Sequence, residues 1–122
     1  MNIALWIVQV LLALIFLFHG WTMWTLPASA QQGMAYMQSI PPGFRRFIGV
    51  AEILAGIGLI LPALTGILPW LTPLAGVGLM IVMAGAVIFH IRRKEYPNIL
   101  FNLVLLALTA FVVYGRFVVA PL

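Results

Sequence analysis

The sequence predicts an all-α membrane protein: four transmembrane helices in an up-down-up-down bundle, forming a single domain over residues 1–122. Three observations predict it. The chain is 65% hydrophobic and only 7% charged, far outside the balance of a water-soluble globular domain. Four charge-poor apolar segments approach or exceed the roughly 20 residues a helix needs to cross the hydrocarbon. No stretch has the short alternating pattern of barrel strands, and backbone groups in lipid must be satisfied internally, which leaves helices.

The first segment, residues 3–24, contains no Asp, Glu, Lys or Arg. Ala28-Ser29-Ala30 imitates a signal-peptidase site, but no basic region precedes the apolar run, and the run exceeds the roughly 7–15 residues of an ordinary signal core. It is expected to be a retained helix. The second segment, 44–61, opens after Pro41-Pro42-Gly43 and is expected to stop at Pro62, since proline bounds helices at both ends. Thr72-Pro73 has the pattern of an N-cap followed by proline at the first helical position, opening a third helix over 73–91. Pro97 opens the fourth, over 97–119.

The connections differ in character. In the first, residues 25–43, Met34, Met37 and Ile40 recur at a helix-like interval, which suggests a short helix lying in the membrane interface. The second carries a local repeat, ILPALT at 60–65 and ILPWLT at 67–72, read as a compact turn with Trp70 at headgroup level. The third, 92–96, is short and basic. Loops one and three hold Arg45, Arg46, Arg92, Arg93 and Lys94, against Arg116 and the amino terminus on the other side. The positive-inside rule therefore places loops 25–43 and 92–96 in the cytoplasm and both termini outside. The net charge of +4 is a topology signal, not a nucleic-acid footprint, so the expected partner is the lipid bilayer. Without cysteine, disulfides, thiolate metal sites and thiol redox chemistry are excluded.

Within this topology four polar residues share one leaflet. His19 lies near the end of helix one, Glu52 two turns into helix two, His90 at the end of helix three and Asn102 early in helix four. All fall within about 12 Å of the basic loops at 1.5 Å rise per residue. Gly49 and Gly56 lie within about 60° of Glu52 around its helix, so a neighbouring backbone can approach the carboxylate. Asn98, Asn102, Thr109 and Arg116 form one stripe along helix four, expected to face inward. An ionisable group in lipid costs about 3 kcal/mol on insertion scales and is normally paired or functional. His19, Glu52, His90 and Asn102 are therefore the candidate binding residues, and a structural hydrogen-bond network fixing helix register is the competing reading. Gln9 has no visible partner at its depth.

The stretches PPGFRRFIGVAE at 41–52, LILPALTGILPWLTPLAG at 59–76, FHIRRKEYPN at 89–98 and NLVLLALTAFVVYGRF at 102–117 together resemble the DoxX family, in its short DoxX-like branch. The resemblance implies a small four-helix protein of a bacterial-type inner membrane, in which Glu52, His90 and Asn102 match characteristic polar positions. Relatives are linked to quinone and thiosulfate oxidation, to quinone or oxidative-stress resistance and to membrane redox complexes. Where relatives often carry Gly-x-x-Lys at the end of helix one, this chain reads His19-Gly20-Trp21-Thr22-Met23. A role for His19 is thus not inherited from the resemblance.

Three function classes follow, and whether the protein is an enzyme stays open. In the first, a quinone- or redox-linked membrane component, the polar cluster binds a quinone carbonyl or small substrate and relays a proton. No electron carrier is visible, so a redox partner would supply one. In the second, the chain is a non-catalytic structural or assembly subunit of a larger membrane complex, or self-associates. In the third, His19 and His90 are axial ligands of a haem. No intrinsic cofactor and no metal site are expected, and quinone is the favoured ligand. A two-histidine, one-carboxylate iron site from His19, His90 and Glu52 would rest on the unmatched His19. A nucleophilic hydrolase finds no supporting motif.

Overall fold

The computed structural model describes residues 1–26 and 40–122. It contains four long helices, α1 (Asn2–Thr25), α2 (Pro42–Thr65), α3 (Leu71–Arg92) and α4 (Tyr96–Tyr114). A wider π-helical turn, Gly115–Val119, extends α4. All four are long and apolar enough to span a membrane. The interfacial helix expected in the first connection falls on residues 27–39, outside the described residues.

Adjacent helices meet in an antiparallel sense, compatible with the up-down order. Early α1 meets late α2 where the Gln9 side chain reaches the Leu59 carbonyl, and late α1 meets early α2 where Arg45 reaches the Met23 carbonyl. Early α1 meets the end of α4 through Gln9 and Arg116. The shared core is a column of Leu12, Phe16, Leu59, Leu79, Met83, Leu105 and Val112. Only 22–33% of each helix's most apolar window is buried. Ile3, Leu14, Phe47, Ile81 and Leu100 instead cover the outside, an arrangement suited to lipid contact.

Prolines mark the helices differently than expected. α2 does not stop at Pro62 but continues through it to Thr65, closing at Gly66 with φ of 73°. Proline at 62 cannot donate to the carbonyl of Gly58, four residues earlier. The Thr72 hydroxyl fills that vacancy, donating to the Gly58 oxygen at 2.9 Å. Thr72 is therefore not the N-cap of the third helix. α3 starts at Leu71 after Trp70, and the hydroxyl is drawn across to α2 instead of back to its own first turn. Consequently most of the ILPALT and ILPWLT repeat is helical, and the turn itself is only residues 66–70, with Trp70 exposed as an interface anchor would be.

The ends of α1 carry polar ties that periodicity did not reveal. At its carboxyl end, the buried Arg45 of α2 donates to the carbonyls of Met23 and Trp24, satisfying last-turn acceptors and meeting the negative end of the helix dipole. At its amino end, Gln9 is fully buried. Its amide nitrogen donates to Leu59 O at 2.7 Å while its oxygen accepts from Arg116 Nε at 2.6 Å. Arg116 Nη1 also donates to Asn2 Oδ1 and to Ala120 O, and the guanidinium lies 5.6 Å from the centre of the Trp6 ring. Of the stripe along helix four, Asn102, Thr109 and Arg116 are buried and Asn98 is half-buried.

Candidate functional site

Two glycines set the geometry of the site. A Cβ on Gly20 would stand 2.7 Å from the Gly49 carbonyl oxygen, and a Cβ on Gly49 the same distance from the Gly20 oxygen. α1 and α2 therefore cross with their backbones nearly in contact. Further along, a Cβ on Gly56 would stand 3.1 Å from Leu17 Cγ and 3.3 Å from the Ala13 carbonyl oxygen of α1, a looser approach. The crossing brings the residues one step from Gly20 and three from Gly49 together. His19 Nδ1 and Glu52 Oε2 share a hydrogen bond of 2.6 Å. Glu52 is 1% exposed, so this carboxylate is interior to the bundle. Of the other three candidate residues, His19 is the one hydrogen-bonded to it, although the family resemblance assigned that residue no role.

His90 is held by a different carboxylate. At the end of α3 the Glu95 N–H donates to the His90 carbonyl at 3.0 Å and the Lys94 N–H to the Ile91 carbonyl at 3.1 Å. Lys94 takes φ of 58°. These bonds define a Schellman turn with lysine in the left-handed position that glycine usually fills. The motif normally brings an apolar residue after the turn onto the last helical turn. Here it brings Glu95 onto His90, whose Nδ1–H donates to Glu95 Oε1 at 2.9 Å, while Arg93 Nε–H donates to the same oxygen at 3.0 Å. Partial burial raises the Glu95 pKa, but the hydrogen bonds from His90 and Arg93, with the Arg93 charge, outweigh it and hold the carboxyl below its ordinary value. The signal for this pair was a histidine and a glutamate five apart across a tight turn, hidden because no glycine announces the turn.

The two histidine–carboxylate pairs flank shared space. A cavity of about 30 Å³ is lined by His19, His90, Asn98 and Asn102 among apolar neighbours such as Phe16 and Met83. Beside it lies a larger apolar groove of about 490 Å³ between α2 and α3, walled by Phe44, Phe47, Ile48, Val82, Ala86 and Phe89. His19, Glu52, His90 and Asn102 all line this groove. The structure thus brings all four candidate residues to one space, with Glu52 bonded to His19 and His90 to Glu95. Among the described residues no group of three His, Cys, Asp or Glu side chains could hold a metal ion, and the His19, His90, Glu52 iron site is not assembled.

An imidazole backed by a carboxylate is a hydrogen-bond donor that can also carry a proton, and the groove offers two beside a carboxamide. Its volume is within the range of small-molecule sites, roughly 300–1,000 Å³, and its walls are apolar with a few converging polar groups.

Four membrane-length helices around buried polar side chains define a small multi-pass membrane protein. The DoxX-like family matches the chain over residues 7–112, and the protein belongs to that family. The match spans His19, Glu52, His90 and Asn102 and ends before Arg116. No curated protein and no solved structure matches the chain.

Proposed function

We propose that this DoxX-like protein is a quinone- or redox-linked component of a bacterial-type inner membrane, with its site in the cytoplasmic leaflet, loops 25–43 and 92–96 in the cytoplasm and both termini outside. The observation that carries the reading is the convergence of His19, Glu52, His90 and Asn102 on one apolar groove of about 490 Å³. A quinone headgroup is a flat ring with two carbonyl acceptors, and its tail is as apolar as lipid. Imidazole and carboxamide donors meet the carbonyls, while Phe44, Phe47 and Phe89 offer ring contacts to the headgroup. The protein supplies binding and protons, and electrons come from a partner in the membrane.

The test is titration of the nanodisc-embedded protein with a short-chain benzoquinone, read by calorimetry, alongside extraction of native membranes for co-purifying quinone. Saturable binding that weakens about tenfold in Asn102→Leu, a loss of about 1.4 kcal/mol, is the expected result. Absence of both binding and co-purified quinone would sink the proposal. A stoichiometric Soret band lost in His19→Ala or His90→Ala would replace it with the haem reading.

A further inference from the structure

The end of the bundle opposite the groove carries a cation that the chain does not neutralise. Arg116 is 3% exposed. Its bonded donors meet only neutral oxygens: Nε meets Gln9 Oε1, and Nη1 meets Asn2 Oδ1 and Ala120 O. Nη2 is buried and has no hydrogen-bond partner. The chain has two acidic side chains, and both are engaged elsewhere, Glu52 with His19 and Glu95 with His90 and Arg93. His19 itself stands about 15 Å along α1 from Gln9 at the helical rise of 1.5 Å per residue. Among the described residues Arg116 makes no ion pair. A buried charge without a counter-ion is costly, and a guanidinium does not shed its proton to escape that cost.

The packing of the helix ends brings this cation to a second positive feature. Gly115 leaves the Leu5 side chain the place a Cβ would take, which seats the end of α4 against the start of α1. The guanidinium of the next residue thereby reaches the first turn of α1, where it bonds Asn2 and lies over the Trp6 ring. That turn has no side-chain cap and no acidic residue. Its orphan N–H groups and the positive end of the helix dipole add to the charge of Arg116, and both favour an anion. A water would satisfy an Nη2 donor but would leave the charge uncompensated.

We propose that Arg116 and the uncapped first turn of α1 form a binding site for a phosphate oxyanion at the membrane surface. Lipid headgroups supply that chemistry at the depth of the helix ends, and dissolved phosphate supplies it from the water. Asn2 stands at the entrance. It is exposed, so its carboxamide turns out to solvent without unpacking the core, and this frees an Nη1 donor to act with Nη2. Two N–H groups of one planar guanidinium then meet two phosphate oxygens, a pairing that lysine cannot reproduce. The site is separate from the groove and does not depend on quinone.

The experiment titrates the full chain, labelled with ¹⁵N-arginine, in an uncharged and phosphate-free detergent, and follows the Nε–H resonance that disappears in Arg116→Lys. The probes are phosphatidylglycerol, inorganic phosphate and, as the anion-free control, diacylglycerol. A saturable shift with phosphatidylglycerol alone assigns the site to a lipid headgroup. A saturable shift with inorganic phosphate at least as tight assigns it to the free anion. No saturable shift with either, or an equal shift with diacylglycerol, overturns the site and leaves Nη2 to water. Asn2→Asp supplies the missing counter-ion from within the chain, so it should weaken binding about tenfold or more, the worth of one charged hydrogen bond. It should also raise the unfolding midpoint without probe, whereas Asn2→Ala should bind at least as tightly as the native chain. Native affinity in Asn2→Asp overturns the proposal, because the anion would then sit elsewhere. Equal losses in Asn2→Asp and Asn2→Ala overturn it too, because the effect would then come from disturbing α1.

Discussion

The Gly20 and Gly49 carbonyls each stand where the other residue's Cβ would have to go, 2.7 Å away, and this crossing holds His19 against Glu52. Gly20→Ala must push α1 and α2 apart along a rigid backbone. We expect a loss of about 1–3 kcal/mol, the usual cost of overpacking, measured by reversible unfolding in detergent. The same variant should lose the His19 to Glu52 hydrogen bond, seen as a changed His19 ¹⁵N shift. A variant of unchanged stability would show that the helices do not cross here.

Thr72 and Pro62 should be energetically coupled although they do not bond to one another. Thr72→Val strands the Gly58 carbonyl that Pro62 cannot serve, at a cost of about 0.6–2 kcal/mol, the range of interhelical hydrogen bonds in membranes. Pro62→Ala returns an N–H to that carbonyl. In the Pro62→Ala background, Thr72→Val should therefore cost much less, and a double-mutant cycle reads the difference. Simple additivity would refute the coupling.

Gln9→Leu removes the acceptor of Arg116 Nε and the donor to Leu59 O in one step. Leaving a buried cation short of a partner costs about 1–3 kcal/mol or more. Thermal unfolding should register the loss, whereas Asn2→Ala at the edge of the same cluster should cost less.

Acid should loosen the α3–α4 turn through Glu95. Its pKa is lowered in the fold, so the unfolded chain binds a proton at a higher pH than the folded one. The associated stability is present above the ordinary carboxylate value of 4.5 and is lost as pH falls through the lowered value. Hydrogen exchange of the Glu95 and Lys94 amides should rise relative to other turns in that acid window. Glu95→Gln should remove the dependence; persistence of it in that variant would assign the effect elsewhere.

Reporter fusions after Leu26 and after Leu122 should report opposite sides of the membrane, with the Leu26 fusion cytoplasmic. Reports from the same side would be incompatible with the proposed orientation.

What the sequence made legible was whatever depth and composition decide. The four spans follow from apolar length, and a shared leaflet with glycines beside the carboxylate puts His19 in one layer with Glu52, His90 and Asn102 without singling it out. What escaped depended on partners supplied from elsewhere. Pro62 reads as a stop until Thr72 is known to stand opposite Gly58. Gln9 reads as isolated because Arg116 is 107 residues away. His90 reads only as one of four polar residues in a shared leaflet, because a Schellman turn built on lysine leaves no glycine to show that Glu95 folds back.

The grip of Arg45 on the end of α1 has a consequence in time. Insertion machinery responds to positive charge flanking a nascent span, before the spans have associated. On the proposed orientation, Arg45 would at that moment act with Arg46 as an orienting charge. Once α2 docks on α1, its guanidinium is withdrawn onto the Met23 and Trp24 carbonyls and no longer faces lipid headgroups. On that orientation, one side chain would serve biogenesis first and architecture afterwards. Arg45→Lys keeps the charge but loses the planar fork, so it should insert normally and yet give a hairpin that comes apart more readily.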